Sequence, residues 1–119
     1  MKAENPKYDL SDRLINFSVS IIEVVKHLPP DRIGNPLGQQ LFRSGTSPAL
    51  NYGEALGAES RKDFIHKLKI VLKELRETLI CLRILSRISY IESKTLSANE
   101  CNELIAIFAK SLKTASSNA

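Results

Sequence analysis

The sequence predicts an all-α protein, an antiparallel up-down four-helix bundle whose second helix is kinked at a proline. Three observations predict it. Apolar residues recur at steps of three and four along most of the 119 residues, and no alternating run marks a strand. Four such segments are separated by short breaks, which sets consecutive helices side by side in opposite directions. The length suits one core but not two. A single domain, 1–119, is expected, with helices at about 9–28, 36–56, 61–90 and 98–113.

In the first segment Leu10, Leu14, Phe17, Ile21, Val24 and Leu28 mark one face, and Ile15, Val19, Ile22 and Val25 widen it toward a second neighbour. Ser11 or Asp9 offers a cap at its start. Pro29 disfavours helical geometry at Leu28 and stops the helix. After a connecting loop, Pro36 suits a first helical turn with Asn35 as its cap. The second segment opens a face with Leu37, Leu41 and Phe42 and then meets Pro48. Proline there removes one backbone hydrogen bond and crowds the Ser44 carbonyl, so a kink is expected. Gly45, Ala49, Gly53 and Gly57 form a ridge almost free of side chains. It reads either as a helix closely approached by another backbone or as a helix broken near Gly45. The first is the expectation, because one helical glycine costs only about 1 kcal/mol.

The third segment is the longest. Ser60-Arg-Lys-Asp63 resembles a capping box with Asp in place of Glu, and Phe64, Leu68, Val71, Leu75, Leu79, Leu82 and Leu85 follow on one face. The fourth opens with the capping-box pattern Ser97-Ala-Asn-Glu100 and runs through Leu104, Ile105, Phe108 and Leu112. Glu100 and Glu103 early, with Lys110 and Lys113 late, suit its dipole. The polar tail from Thr114 is expected to fray.

Composition removes several classes. Five Gly and five Pro are near background, which argues against a disordered or collagen-like chain. No stretch approaches the ~20 apolar residues of a membrane span. The first residues lack the apolar core of a signal peptide, so a cytoplasmic protein is expected, without membrane partners. Cys81 and Cys101 lie in apolar-periodic segments and read as reduced, buried thiols, the alternative being a disulfide between two helices.

Charge is unevenly placed. The stretch from Ser60 to Tyr90 holds eight bases and three acids, a net +5, while the remainder of the chain is −1. At ~100° per residue, Lys62, Lys69, Lys73, Arg76, Arg83 and Arg87 fall within an arc of roughly 80°, nearly opposite the Phe64–Leu85 face. His66 lies beside the arc and Ile80 on its axis. The plain reading is a solvated helix back. The sharper one is a phosphate-tracking stripe about 37 Å long at ~1.5 Å per residue. It carries no aromatic residue, so backbone and shape, rather than stacked bases, are what it would read.

No residue pattern points to catalysis. A carboxylate-bridged metal site in such a bundle needs paired Glu-x-x-His motifs, and Asp63-Phe-Ile-His66 is a single pair with the wrong acid. His27 follows Glu23 at the wrong spacing, and phosphate-binding or nucleophile-elbow glycine motifs are absent. Ser44-Gly-Thr-Ser47 has no histidine near it in sequence and reads as backbone bonding around Pro48. Glu54, Glu74 and Glu77 read as ion-pair partners of Arg43, Lys73 or Arg76. Neither a metal nor a cofactor is expected, and the chain is expected not to be an enzyme.

The stretch Leu41-Phe-Arg-Ser-Gly-Thr-Ser-Pro-Ala-Leu-Asn-Tyr-Gly-Glu-Ala55, followed by Ser60-Arg-Lys-Asp-Phe64 and Lys73-Glu-Leu-Arg-Glu-Thr78, resembles the bacterial four-helix bundle family of ribosomal-RNA intervening-sequence proteins. The matching positions are Arg43, Ser44, Ser47, Asn51, Glu54, Ala55, Asp63, Phe64, Lys73, Glu74, Glu77 and Thr78. The family usually continues with Trp-Leu, where this chain has Cys81-Leu82. More distantly, the chain is similar to the accessory variability proteins of diversity-generating retroelements, which bind RNA and a reverse transcriptase. The resemblance implies an up-down bundle assembled as a homopentameric ring, and no catalytic residue. In such a ring Arg43, Asn51 and Glu54 would order the bundle or the subunit contact. The expected function is binding of structured RNA or DNA through Lys62, Lys69, Lys73, Arg76, Arg83 and Arg87. The alternative is a scaffold ring for an acidic or polymerase-type protein partner.

Overall fold

The computed structural model describes residues 6–92 and 95–117, with side chains from Leu10 onward. Four helices account for most of them: α1 Pro6–Lys26, α2 Gly34–Leu56, α3 Arg61–Arg87 and α4 Leu96–Ser117. Cross-helix bonds set the direction of each neighbour. Ser18 Oγ lies 3.0 Å from the Gly45 carbonyl, and Lys67 Nζ lies 2.8 Å from Glu54 Oε1. Cys101 Sγ lies 3.2 Å from the Leu75 carbonyl, and Ser97 Oγ lies 3.1 Å from Ser20 Oγ. Each successive pair thus runs antiparallel. The pair α2–α3 makes the most extensive contact and α1–α4 the slightest.

Every helix contributes its apolar face to one core. Leu14, Phe17 and Ile21 from α1 meet Leu41 and Tyr52 from α2, Leu68 to Leu85 from α3, and Leu104 and Phe108 from α4. The Tyr52 and Phe108 rings meet edge to face, 5.3 Å between centroids, across the diagonal of the bundle. The second α1 seam fares differently: Ile15 and Val19 remain half exposed. Cys81 and Cys101 are buried free thiols, and desolvation pushes the Cys101 pKa up to about 12.

The helix ends depart from sequence expectation, each for a local reason. The α1 helix starts at Pro6, so Ser11 lies inside it, while the Asp9 side chain lies outside the described residues. It ends at Lys26 in a tightened turn, His27 N–H donating to the Val24 carbonyl. Asn35 does not cap α2. Asp31 accepts from the backbone N–H groups of Ile33 and Gly34 instead, at 3.0 and 2.7 Å. A side chain at Gly34 would collide with the Pro29 carbonyl, so the closeness of the loop requires glycine there. Ser60 caps α3 as expected, accepting from Asp63 N–H at 3.0 Å.

The α3 helix stops at Arg87 rather than near Tyr90. Ser89 turns left-handed at φ 65°, letting Tyr90 N–H reach back to the Leu85 carbonyl at 2.9 Å. Thr95, not Ser97, caps α4, with its Oγ1 accepting from Ala98 N–H at 3.0 Å. Ser97 and Glu100 instead reach α1, where Arg13 holds the Glu100 carboxylate with two hydrogen bonds of 2.6 and 3.1 Å. The tail expected to fray is helical to Ser117, and the Ala115 carbonyl accepts from Arg61.

Through the glycine ridge α2 is unbroken, with Pro48 inside it. A Cβ on Gly45 would stand 2.5 Å from Ile21 Cγ2, so α1 approaches here as closely as the sequence suggests. Gly53, two turns on, faces open space.

Candidate nucleic-acid interface

The longest helix carries two polar faces of opposite character. On its outer side Lys62, Lys69, Lys73, Arg76, Arg83 and Arg87 are all exposed. Among the described residues none of the six pairs with a carboxylate within 4.0 Å. Ile80 stands among them, 57% exposed, and Ile84 and Ile88 follow at one-turn intervals on the α2 side. The N-terminal half of the stripe borders an open groove of about 390 Å³, lined by Arg61, Lys62, Ile65, His66 and Lys69. Like charges held this way on a rigid rod raise the local potential and attract a polyanion.

The side of α3 that meets α2 gathers most of the sequence motif. Arg43 donates to Glu74 Oε1 at 3.0 Å and to Glu77 Oε2 at 3.3 Å. One turn further, Thr78 Oγ1 lies 2.9 Å from Ser44 Oγ, and both residues are fully buried. Glu74 is buried as well, and its Oε2 has no hydrogen-bond partner among the described residues. Burial is the main cause raising the Glu74 pKa, with the neighbouring Glu77 charge adding to it. Glu77 is lowered, chiefly by the adjacent Glu74 carboxyl and then by Arg43. Cys81 continues this seam, 3.6 Å from the Leu37 carbonyl, in the place where the related pattern has tryptophan.

The other motif residues lie apart from that cluster. Asn51 spans a turn of α2, donating to the Ser47 carbonyl at 3.1 Å and to Ser47 Oγ at 2.9 Å. Glu54 pairs with Lys67 across the seam, and that hydrogen bond raises the Lys67 pKa. Asp63 belongs to the α3 cap, and Phe64 packs against the edge of the core. Of the ion pairs the sequence suggests for Glu54, Glu74 and Glu77, Arg43 makes those with Glu74 and Glu77, Glu54 takes Lys67 instead, and among the described residues Lys73 and Arg76 make none within 4.0 Å. Among the described residues, no three His, Cys, Asp or Glu side chains gather where they could hold a metal ion.

No pattern in the sequence points to the Tyr90–Asp31 bond. Tyr90 donates to Asp31 Oδ2 at 2.7 Å and ties the end of α3 to the α1–α2 loop. Asp31 is lowered first by its bond from Gly34 N–H and next by Tyr90. A tyrosine and an aspartate 59 positions apart carry no periodicity that could have joined them.

Comparison with known proteins places this geometry. The family described as 23S rRNA-intervening sequence protein matches residues 7–113. A crystal structure from Bacteroides thetaiotaomicron, of a protein of unknown function from the S23 ribosomal protein family, superposes with a TM-score of 0.81 at 35% sequence identity. The match covers 87% of this chain and 97% of that one. No curated protein matches.

Proposed function

The chain belongs to the 23S rRNA-intervening sequence protein family, and from that premise we propose that it is a non-catalytic, self-assembling helical bundle that binds structured RNA or DNA along the outer face of α3. The observation that carries the reading is the exposed row Lys62, Lys69, Lys73, Arg76, Arg83 and Arg87, with no carboxylate within 4.0 Å of any among the described residues. Bases that only solubilised a helix would gain from interspersed acids, as i,i+4 pairs do. Segregated and unpaired, they suit phosphates that come from outside. Contact with backbone rather than base edges makes the binding salt-steep and tolerant of sequence.

Self-assembly as a homopentameric ring would multiply one stripe into a broad positive surface. Supporting it, Ile15 and Val19 on α1 and Phe42 and Leu50 on α2 are about half exposed or more, Leu50 reaching 68%. The antiparallel register, with Ser18 and Ile21 at Gly45, sets Ile15 and Val19 at the level of Phe42 and Ala49 along the α1–α2 seam. None of the described helices is long and apolar enough to cross a membrane, and the cytoplasm is the proposed location.

The test is light scattering of purified protein at low and high salt, with nucleic-acid retention read alongside. A pentamer that carries RNA at low salt and sheds it at high salt supports the proposal. The charge-reversed variant K69E/K73E/R76E should fold normally and lose that retention. If it keeps wild-type affinity, the stripe is not the site.

One observation favours a second reading. The row Ile80, Ile84 and Ile88 beside the bases would suit an acidic amphipathic helix of a protein partner, such as a polymerase-type enzyme. Heparin competition set against a specific protein pull-down separates the two.

A further inference from the structure

We propose that Glu74 is held as a neutral carboxylic acid inside the α2–α3 seam and shares its proton with the Glu77 carboxylate, making the seam a proton-dependent latch. The argument starts from an oxygen without a partner. Glu74 is only 7% exposed; its Oε1 accepts from Arg43, and its Oε2 is buried with no partner among the described residues. An ionised carboxylate is an acceptor only, so a second buried acceptor here would stand uncompensated. A proton on Oε2 turns that oxygen into a donor. Glu77, one turn along the same helix and bonded to the same Arg43 guanidinium, is the carboxylate placed to accept it.

Charge balance points the same way. Among the described residues Arg43 is the one cation in contact with both carboxyl groups, and a single guanidinium neutralises one carboxylate, not two. Arg43 positive, Glu74 neutral and Glu77 negative sum to zero. The groups facing this site are Arg43 from α2 and Glu77 from α3, with Lys73 acting on Glu77 from the stripe side. From α1 and α4, no titratable group among the described residues acts on either glutamate. The directions of the two shifts agree, with Glu74 raised first by burial and Glu77 lowered first by the adjacent Glu74 carboxyl.

The dependence on pH follows in sign. Glu74 is raised on folding, so its contribution is complete below the ordinary carboxylate value and is lost as pH rises through the raised value. Glu77 is lowered, so its contribution is present above the ordinary value and is lost as pH falls through the lowered one. The latch is therefore tightest near the ordinary carboxylate range and loosens as pH rises. This inference is independent of what the outer stripe binds.

The experiment is urea unfolding of the full chain between about pH 4.5 and 8, together with an NMR titration of the glutamate side-chain carboxyl carbons. In the wild type the Glu74 carbon should titrate above the ordinary carboxylate range. The unfolding constant should rise by up to about tenfold per pH unit until that titration is complete. E74Q, whose amide can donate to Glu77 as the acid does, should fold and lose that slope, and E77Q should return Glu74 toward ordinary titration. Glu74 titrating with the other glutamates, or E74Q keeping the wild-type slope, overturns the proposal. If E74Q fails to fold, the wild-type titration alone decides it.

Discussion

On the inner side of α3, Glu74 and Thr78 are buried and bonded into α2, whereas on its outer side Lys69, Lys73 and Arg76 stand in solvent with no carboxylate among the described residues within 4.0 Å. Both sets belong to the same 27-residue helix and the same few turns. The inner groups are individually placed, because a buried polar atom without a partner costs about 1–3 kcal/mol. Among the described residues no ion pair within 4.0 Å holds the outer groups in place. In the proposed binding they act through summed charge, which one substitution barely changes and several reverse.

Breaking the two faces separately should therefore give different kinds of loss. The largest expected effect is on binding. K69E/K73E/R76E should leave the unfolding midpoint near wild type while polyanion affinity and its salt slope collapse, the slope falling by ~0.9 for each phosphate contact removed. A filter-binding series over salt measures it, and an unchanged slope would end the phosphate reading.

Packing variants come next. Gly45→Val should cost about 1–3 kcal/mol in urea unfolding, because its Cβ meets Ile21 where α1 and α2 are closest. Thr78→Val keeps the shape of the residue but removes the hydroxyl that donates to Ser44 Oγ, leaving Ser44 only its long bond to the Leu41 carbonyl, for a loss of about 1–2 kcal/mol. A smaller gain is expected from Gly53→Ala, about 0.5–1 kcal/mol in the isolated protomer, since that glycine faces open space. If self-assembly uses this surface, the same variant should shift the oligomer equilibrium in light scattering while the protomer gains stability. The smallest effect is at the helix end, where Ser89→Gly should raise the thermal midpoint slightly by relieving the left-handed turn.

The sequence made the four helices legible because each buries one side of a 3.6-residue period, and a periodic pattern needs no knowledge of its neighbours. Helix ends were less legible. Ser97-Ala-Asn-Glu100 has the spacing of a capping box, yet Thr95 does the capping while Ser97 and Glu100 bond to α1. A Ser and a Glu three apart fit either use, and the position of α1 chooses. The outer stripe could be placed from spacing alone, because exposed bases opposite an apolar face must share the solvent side. Which acids Arg43 would hold was narrowed by sequence, but not that Glu74 would be buried with one oxygen unpaired.

Sequence by itself thus determined the helices, the single core and the side of α3 on which the charge collects. All three follow from local periodicity and from the preference of charge for water. Tertiary structure decided the partners: Ile21 against Gly45, Ser44 against Thr78, Tyr90 on Asp31, and Arg43 between two glutamates. Those pairings join residues dozens of positions apart, and their strength depends on distances and burial that exist only after the helices have packed.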